Sequence, residues 1–204
     1  MLGLDCLLAK SLGSAIGDNL GEKTLQKIDN RLFEKYGITI SQALLDFQKV
    51  DSVLREFFGD GADGLERKIF ENVCTLEKSK DNDSEWMTVE DQFLTGVILE
   101  AFGDEDKKSI LTSLLDESRT ISEVLSICNI PQTSGYRKIN SLIDNGLLIP
   151  HGFITTNDGK RVNKYMPVFQ NIKINIIKNK VSVKVQLSKE SLNNSSVIPL
   201  IQSL

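Results

Sequence analysis

The sequence has little of what several common classes of protein require. Its 204 residues include three cysteines, and Cys6, Cys74 and Cys128 are odd in number and far apart, which argues against a disulfide framework. No apolar run approaches the roughly 20 residues that cross a bilayer. The short apolar start has no basic residue before it and is interrupted by Asp5, so no signal peptide is predicted. We therefore expect a cytoplasmic protein with no membrane contact.

Residues for catalysis are also scarce. His151 is the only histidine, and no potential partner lies at the spacing of a catalytic or metal site. There is no nucleophile motif and no phosphate-binding loop. Residues 59–64 match the dinucleotide pattern Gly-x-Gly-x-x-Gly, but that pattern needs a preceding strand and a βαβ unit, and a helix is predicted before it. The sequence predicts no enzyme activity, no cofactor and no metal site.

Charge is distributed unevenly along the chain, whose formal net charge is −4. Residues 1–100 contain 11 Lys/Arg and 19 Asp/Glu, a charge of −8. Residues 132–189 contain 10 Lys/Arg and two acidic residues, a charge of +8. A basic segment in an acidic chain indicates a surface that binds polyanions, and a solvated basic face is the alternative.

The first half is predicted to be all-helical. Apolar residues at helical spacing predict helices over about 4–18, 22–36, 41–47, 51–58 and 62–76. The polar segment that follows predicts an exposed linker over 81–87. Thr88 and Asp91 match a capping box at the start of a helix over about 89–102. We expect a separate helical domain over 1–80.

The second half changes from a helical period to a period of two. Three helices are predicted over about 104–115, 122–128 and 132–145, with Ser122 as the cap of the second. Strands over 147–155 and 161–169 are joined by Asn157-Asp158-Gly159-Lys160, a hairpin signal. Alternating Ile and Val over 172–187 predict a second hairpin, which would extend the first sheet or form a dimer contact. The tail after Lys189 either is loose or docks.

This order of elements is the winged helix-turn-helix plan. The predicted fold class is mainly α with a small β component (α+β): a helical domain, a winged helix over 88–170, and a hairpin with its tail over 171–204. The third helix would enter the major groove, which is about 12 Å wide. Its spacing places Gly135, Ile139, Leu142 and Ile143 inside. The residues predicted to bind DNA are Thr133, Ser134, Tyr136, Arg137, Lys138 and Asn140 of this helix, and Lys160, Arg161 and Lys164 of the hairpin.

Two segments resemble a known family. Residues 121–125 (Ile-Ser-Glu-Val-Leu) and 133–148, which end in the pattern Leu-x-x-x-Gly-Leu at Leu147, resemble archaeal winged helix-turn-helix regulators of the ArsR-like class. The resemblance covers about residues 90–170 and implies a dimeric regulator that binds an operator. Gly135 stands where that class usually has a β-branched residue. The paired cysteines of its metal-sensing members are missing, since only Cys128 is present, so metal sensing of that type is not expected.

The first half resembles a small helical output domain found in regulators of ammonia-oxidising archaea. The residues that carry this likeness are 34–38 (Glu-Lys-Tyr-Gly-Ile), 57–62 (Phe-Phe-Gly-Asp-Gly-Ala) and Leu65-Glu66. The resemblance spans about residues 1–76 and implies a signalling role or a protein partner for this domain.

The sequence thus predicts a transcriptional regulator that binds double-stranded DNA as a homodimer at promoters. Its mechanism would be steric, with a signal at the helical domain altering the spacing of the two recognition helices. Two other interpretations remain open. One is a winged-helix scaffold that binds proteins in a transcription or signalling complex, and the other is RNA binding.

Overall fold

The computed structural model describes residues 3–78 and 85–203. The predicted α+β class is confirmed. The helices are α1 (Gly3–Leu20), α2 (Glu22–Tyr36), α3 (Ile40–Ala43), α4 (Phe47–Phe58), α5 (Gly61–Val73), α6 (Gln92–Gly103), α7 (Glu105–Ser113), α8 (Ile121–Ile127), α9 (Gln132–Asp144), α10 (Lys189–Asn193) and α11 (Ile198–Ser203). The strands are β1 (Cys74–Lys78), β2 (Glu85–Val89), β3 (Arg119–Thr120), β4 (Leu148–Thr155), β5 (Arg161–Pro167), β6 (Phe169–Ile177) and β7 (Lys180–Leu187).

The first five helices pack around α1. Apolar residues four positions apart give α1 a fully buried face, with Leu8, Leu12 and Ile16 each at 0% exposure. This face contacts α2, α3 and α5. Gly37 ends α2 in the left-handed conformation, with φ of 69°.

The first half is not entirely helical, which corrects the prediction. The last helix of this half ends at Val73, and β1 follows it directly. The exposed linker predicted over 81–87 is wrong from Glu85 onward, because β2 begins there and Met87 is fully buried. Residues 79–84 lie outside the described part of the chain. Thr88 lies within β2 rather than capping a helix, and Asp91 caps α6 by accepting from the Leu94 N–H at 2.7 Å.

Strands from both halves of the chain form one antiparallel sheet in the order β1-β2-β7-β6. Met87 of β2 pairs with Val185 of β7, and Val89 pairs with Val183. The prediction that the second hairpin extends the first hairpin's sheet is therefore wrong, since this hairpin completes a sheet begun before α6. Its turn has positive φ at Lys178 (49°) and Asn179 (62°), as a two-residue turn with both central residues left-handed requires.

The predicted wing lies in a second antiparallel sheet of order β3-β5-β4. Thr155 pairs with Arg161 next to the turn, where Gly159 has φ of 78°. The Asp-Gly signal is thus confirmed as the reversal between the two strands. The pairing register shifts between Pro150 and Phe153, and Gly152 within this bulge has φ of 78°.

The C-terminal tail docks on the first helix. The buried Asp5 carboxylate accepts hydrogen bonds from the Ser195 hydroxyl (2.5 Å), the Ser196 hydroxyl (2.5 Å) and the Ser196 N–H (2.8 Å). Val197 and Ile198 are buried in the core that α1 also lines. None of the helices in the described residues is long and apolar enough to cross a membrane.

Candidate nucleic-acid interface

Three helices and a hairpin build the unit that contains the predicted DNA contacts. Helix α7 starts after Asp104, whose side chain accepts from the Lys107 N–H at 3.0 Å. Helix α8 starts after Thr120, which exchanges hydrogen bonds with Glu123 in a capping box. The cap predicted at Ser122 is therefore two residues too late. Both caps fix where these helices begin, and through them the position of α9.

The turn between α8 and α9 is short and tightly held. Asn129 is left-handed, with φ of 53°, and the N–H of the buried Ile130 donates to the Leu125 carbonyl at 3.0 Å. Pro131 then leads directly into α9. Its ring fixes φ near the value that a helix needs, so the chain enters α9 without a further loop.

Gly135 allows α9 to approach α8 closely. A Cβ added at Gly135 would lie 2.2 Å from Cδ2 of Leu125, which is far inside van der Waals contact. A β-branched residue at this position would push the two helices apart. Glycine at position 135 thus allows the close packing of α9 against Leu125 of α8.

The opposite side of α9 is open to solvent. Gly135, Ile139 and Leu142 are buried, as predicted. Four of its exposed residues are spaced i, i+3, i+4 and i+7, so they form one stripe along a helix about 20 Å long, with the exposed Gln132 and Asp144 at the two ends of the helix. This set, which we call the α9 face, consists of Thr133, Tyr136, Arg137 and Asn140.

Two predicted contacts on α9 have partners within the protein. The Lys138 ammonium lies 2.7 and 2.5 Å from the two carboxylate oxygens of Asp104 and 3.1 Å from Asp106. These hydrogen bonds raise the pKa of Lys138 and hold the pKa of Asp104 below its usual value. The Ser134 hydroxyl donates to the Pro131 carbonyl at 3.1 Å. Lys138 thus joins α9 to the acidic start of α7, and Ser134 bonds the residue before α9. The spacing of residues in the sequence does not indicate the contact between α7 and α9.

The basic residues of the wing differ in exposure. Lys160 is 81% exposed and lies 2.9 Å from Asp158, while Arg161 stacks over the Phe153 ring, 4.6 Å from its centre. Lys164 lies opposite Thr120 in the strand pair and is only partly exposed. It helps to lower the pKa of Glu123, which is lowered mainly by hydrogen bonds from Thr120. The structure therefore presents Lys160 and Arg161 at the wing turn and places Lys164 beside the helical core.

The end of α9 rests on the first helix of the chain. Gly146, just beyond α9, has φ of 72°, and a Cβ added there would lie 2.4 Å from the Leu7 backbone nitrogen. In β4, which follows Gly146, Ile149 packs against Gly3, where an added Cβ would lie 2.0 Å from Ile149 Cγ2. The backbone of α1 thus touches the segment that joins α9 to the wing, a contact that no sequence pattern indicates.

The described residues contain no group of three or more His, Cys, Asp or Glu side chains that could hold a metal ion. Comparisons of the chain with family models, curated proteins and solved structures find no match. The resemblance to ArsR-like regulators therefore stays a prediction from the sequence.

Proposed function

We propose that the protein binds duplex DNA by placing the α9 face in the major groove. The observation that carries the proposal is the stripe of Thr133, Tyr136, Arg137 and Asn140 on a helix whose other side is buried. A guanidinium can bond both acceptors of guanine, and a side-chain amide can bond adenine in the same bidentate way. Hydroxyl groups on the stripe can bond phosphates.

The wing supplies charge beside this helix. Lys160 and Arg161 are exposed at the turn between β4 and β5. A lysine or arginine that contacts a phosphate does not read the base sequence. The wing would therefore strengthen binding without selecting a site. The α9 face would provide the selection.

The biological role that follows is regulation of transcription by occupying promoters. A homodimer would match a palindromic operator with half-sites about one helical turn apart. The contact between Leu7 and Gly146 offers a route by which a signal or protein partner at the first five helices would move α9. This role extends the DNA-binding proposal and depends on it.

Salt-dependent binding tests the proposal. A labelled random-sequence DNA duplex is titrated with the full chain over a series of salt concentrations, with fluorescence anisotropy as the readout. The slope of log K against log salt is negative, and each phosphate contact adds about 0.9 to its magnitude. We expect steeply salt-dependent binding for the wild type, and a slope smaller by about 2 for Lys160→Ala/Arg161→Ala. Lys23→Ala/Lys27→Ala, two exposed lysines of α2, is the control and should leave the slope unchanged.

A second candidate function is protein binding, as a scaffold. The wing exposes Phe153 (51%), Ile154 (39%) and Val162 (36%), and exposed apolar side chains are more typical of a protein contact than of a DNA contact. The same titration separates the two functions, because a scaffold would not bind the duplex even at low salt. Competition by double-stranded and single-stranded RNA separates DNA binding from RNA binding.

A further inference from the structure

The sheet β1-β2-β7-β6 has two faces of different composition. On one face, Met87, Val183 and Val185 are fully buried in the core. The residues that alternate with them lie on the opposite face, because successive side chains of a strand point to opposite sides. We call this opposite side the outer sheet face, and none of its residues is buried. It consists of Thr75 and Glu77 of β1, Trp86 and Thr88 of β2, Lys180, Ser182, Lys184 and Gln186 of β7, and Asn171, Lys173, Asn175 and Ile177 of β6.

Side-chain hydrogen bonds join the strands across the outer sheet face. The Lys184 ammonium donates to Glu77 Oε1 at 2.5 Å, and the Thr88 hydroxyl donates to the same oxygen at 3.1 Å. The Asn171 amide donates to the side-chain carbonyl of Gln186 at 2.6 Å. Polar groups are therefore held in fixed positions on a rigid sheet, which lowers the entropy cost of binding a ligand there.

Trp86 is the aromatic residue of the outer sheet face and the only tryptophan of the chain. It lies on β2, which has a neighbouring strand on each side, and it is partly exposed. The Lys173 ammonium lies 4.2 Å from the centre of its ring, at the place where an aromatic base would stack. Stacking of a base on an aromatic ring is generally stronger than an exposed cation–π contact, so a base can replace the ammonium.

The half of the outer sheet face that β6 and β7 form is basic. Residues 169–187 contain four lysines, at 173, 178, 180 and 184, and no Asp or Glu. The first three of these lysines are exposed, and Lys184 is paired with Glu77. A basic strip beside an aromatic ring is the combination that binds a single strand of nucleic acid, because lysines pair with phosphates while bases stack on the ring. The side-chain amides of the same face can hydrogen-bond to base edges.

The shape and composition of the outer sheet face favour a single strand over other partners. Four strands about 4.8 Å apart give a face about 14 Å wide before side chains are added. This face is too wide for the major groove of a duplex, which admits a helix or a two-stranded ribbon. A protein partner fits less well, because lysine is depleted in protein–protein interfaces. A single strand can lie across a four-stranded sheet with its bases against the aromatic side chains.

We propose that the outer sheet face binds a single strand of DNA, with a base stacked on Trp86 and phosphates along Lys173 and Lys180. When the base stacks, the Lys173 ammonium leaves the ring and pairs with a phosphate. None of these residues belongs to the α9 face or the wing, so the chain would hold a duplex and an unpaired strand at separate surfaces. The choice of DNA over RNA rests on the proposed function of α9, while the outer sheet face itself requires only a single strand.

The fluorescence of the single tryptophan tests the stacking contact. The full chain is titrated with a labelled oligo-dT of about 12 nucleotides, and tryptophan fluorescence and oligonucleotide anisotropy are recorded together. We expect binding that quenches Trp86. Trp86→Leu should weaken binding about fivefold or more, whereas Trp86→Phe, which keeps an aromatic ring, should retain most of the affinity. Thermal melting checks that both variants are folded. A wild type that does not bind oligo-dT, or a folded Trp86→Leu variant that binds like the wild type, would overturn the proposal.

Charge reversal separates this surface from the α9 face. Lys173→Glu/Lys180→Glu should weaken oligo-dT binding at least tenfold at low salt, because it places carboxylates beside the phosphates. Lys23→Glu/Lys27→Glu, a matched reversal at exposed positions of α2, is the control. The first pair should weaken duplex binding no more than the control does.

The α9 variant Arg137→Ala/Asn140→Ala completes the comparison and should bind oligo-dT like the wild type. If it loses oligo-dT binding, the strand lies on the α9 face and the proposal is overturned. Absence of duplex binding with oligo-dT binding retained would contradict the proposed function alone. Binding of oligo-rU more than tenfold tighter than oligo-dT of the same length would overturn the assignment to DNA.

Discussion

Neighbouring basic residues on α9 have different roles. The helical period of the sequence predicts which residues of α9 point inward, and Gly135, Ile139 and Leu142 are buried as expected. The period does not distinguish Arg137 from Lys138, because both lie off the buried side. Only the distance between α7 and α9 shows that Lys138 reaches Asp104. The sequence alone therefore gives no sign that Lys138 is paired with Asp104.

The ion pair of Lys138 should contribute to stability and not to DNA affinity. Lys138→Met is expected to lower the free energy of unfolding by roughly 1 kcal/mol at neutral pH, a value typical of partly exposed pairs. The pKa of Asp104 is lowered and that of Lys138 is raised. The loss should therefore disappear at a pH below the lowered pKa of Asp104, where the carboxylate is protonated, and at a pH above the raised pKa of Lys138. Urea unfolding of the wild type and of Lys138→Met across this pH range measures the loss. Equal stability of the two proteins at pH 7 would contradict the prediction.

Glu66 should make the protein less stable as the pH rises. Its carboxyl group is fully buried, and the Arg55 guanidinium lies 3.9 Å from Oε2. Burial, together with Asp51 and Asp63, raises the pKa of Glu66 from 4.5 to about 8. The folded protein keeps this proton between these values while the unfolded chain releases it, so stability falls by up to about 1.4 kcal/mol per pH unit over that interval. Glu66→Gln should flatten this part of the curve of unfolding free energy against pH, and an unchanged slope would refute the assignment.

At the scale of elements, signals close in sequence are predicted well and distant pairings are not. The wing turn at Gly159 follows from four consecutive residues. Strand β2 was missed because its polar residues Glu85 and Thr88 make the segment resemble a linker. Its inward residues, Met87 and Val89, pair with Val185 and Val183 of β7, which lie about a hundred residues later in the sequence. Strand β2 lies inside the sheet, between β1 and β7, and only its pairing with β1 is local in sequence.

The two glycines of α6 and α9 should respond oppositely to alanine. Gly135→Ala is expected to destabilise the protein by about 1 to 2 kcal/mol, because overpacking against Leu125 outweighs the better helix propensity. Gly96→Ala should stabilise the monomer by up to about 1 kcal/mol, because the new methyl group meets open space. Thermal unfolding at low protein concentration compares the two variants. A stabilising Gly135→Ala would show that α8 and α9 are not in close contact.

At the scale of the whole molecule, the two ends of the chain are joined. Helix α1 contacts the elements of the first half, the C-terminal tail and the segment after α9. Residues from both halves belong to one continuous set of buried side chains. The sequence predicts most helices of both halves and the two hairpins of the second half but not this connection, because Asp5 and Ser196 carry no pattern that relates them. Helix α1 therefore contacts the segment that directly follows α9.

The Asp5 contact should be the strongest polar link between the ends. Asp5→Ala removes an acceptor from two hydroxyls and one N–H that are buried, and hydrogen bonds to a charged group contribute about 1.5 to 3 kcal/mol each. We expect a loss of about 3 kcal/mol or more in the free energy of unfolding. Limited proteolysis should also cut the tail near Ser195 sooner. Asp18→Ala, at an exposed position of the same helix, is the control and should change neither result.

The central claim is that the α9 face binds duplex DNA, and the affinity of Arg137→Ala/Asn140→Ala tests it most directly. Anisotropy is measured at a single low salt concentration with a duplex that the wild type selects from a random-sequence pool, and Arg67→Ala, an exposed arginine of α5, is the control. Loss of one base-contacting side chain typically costs about 1 to 3 kcal/mol with a cognate site. The account predicts at least tenfold weaker binding by the double variant and unchanged binding by the control. Equal binding by the wild type and the double variant, or no binding by any of the proteins, would contradict it.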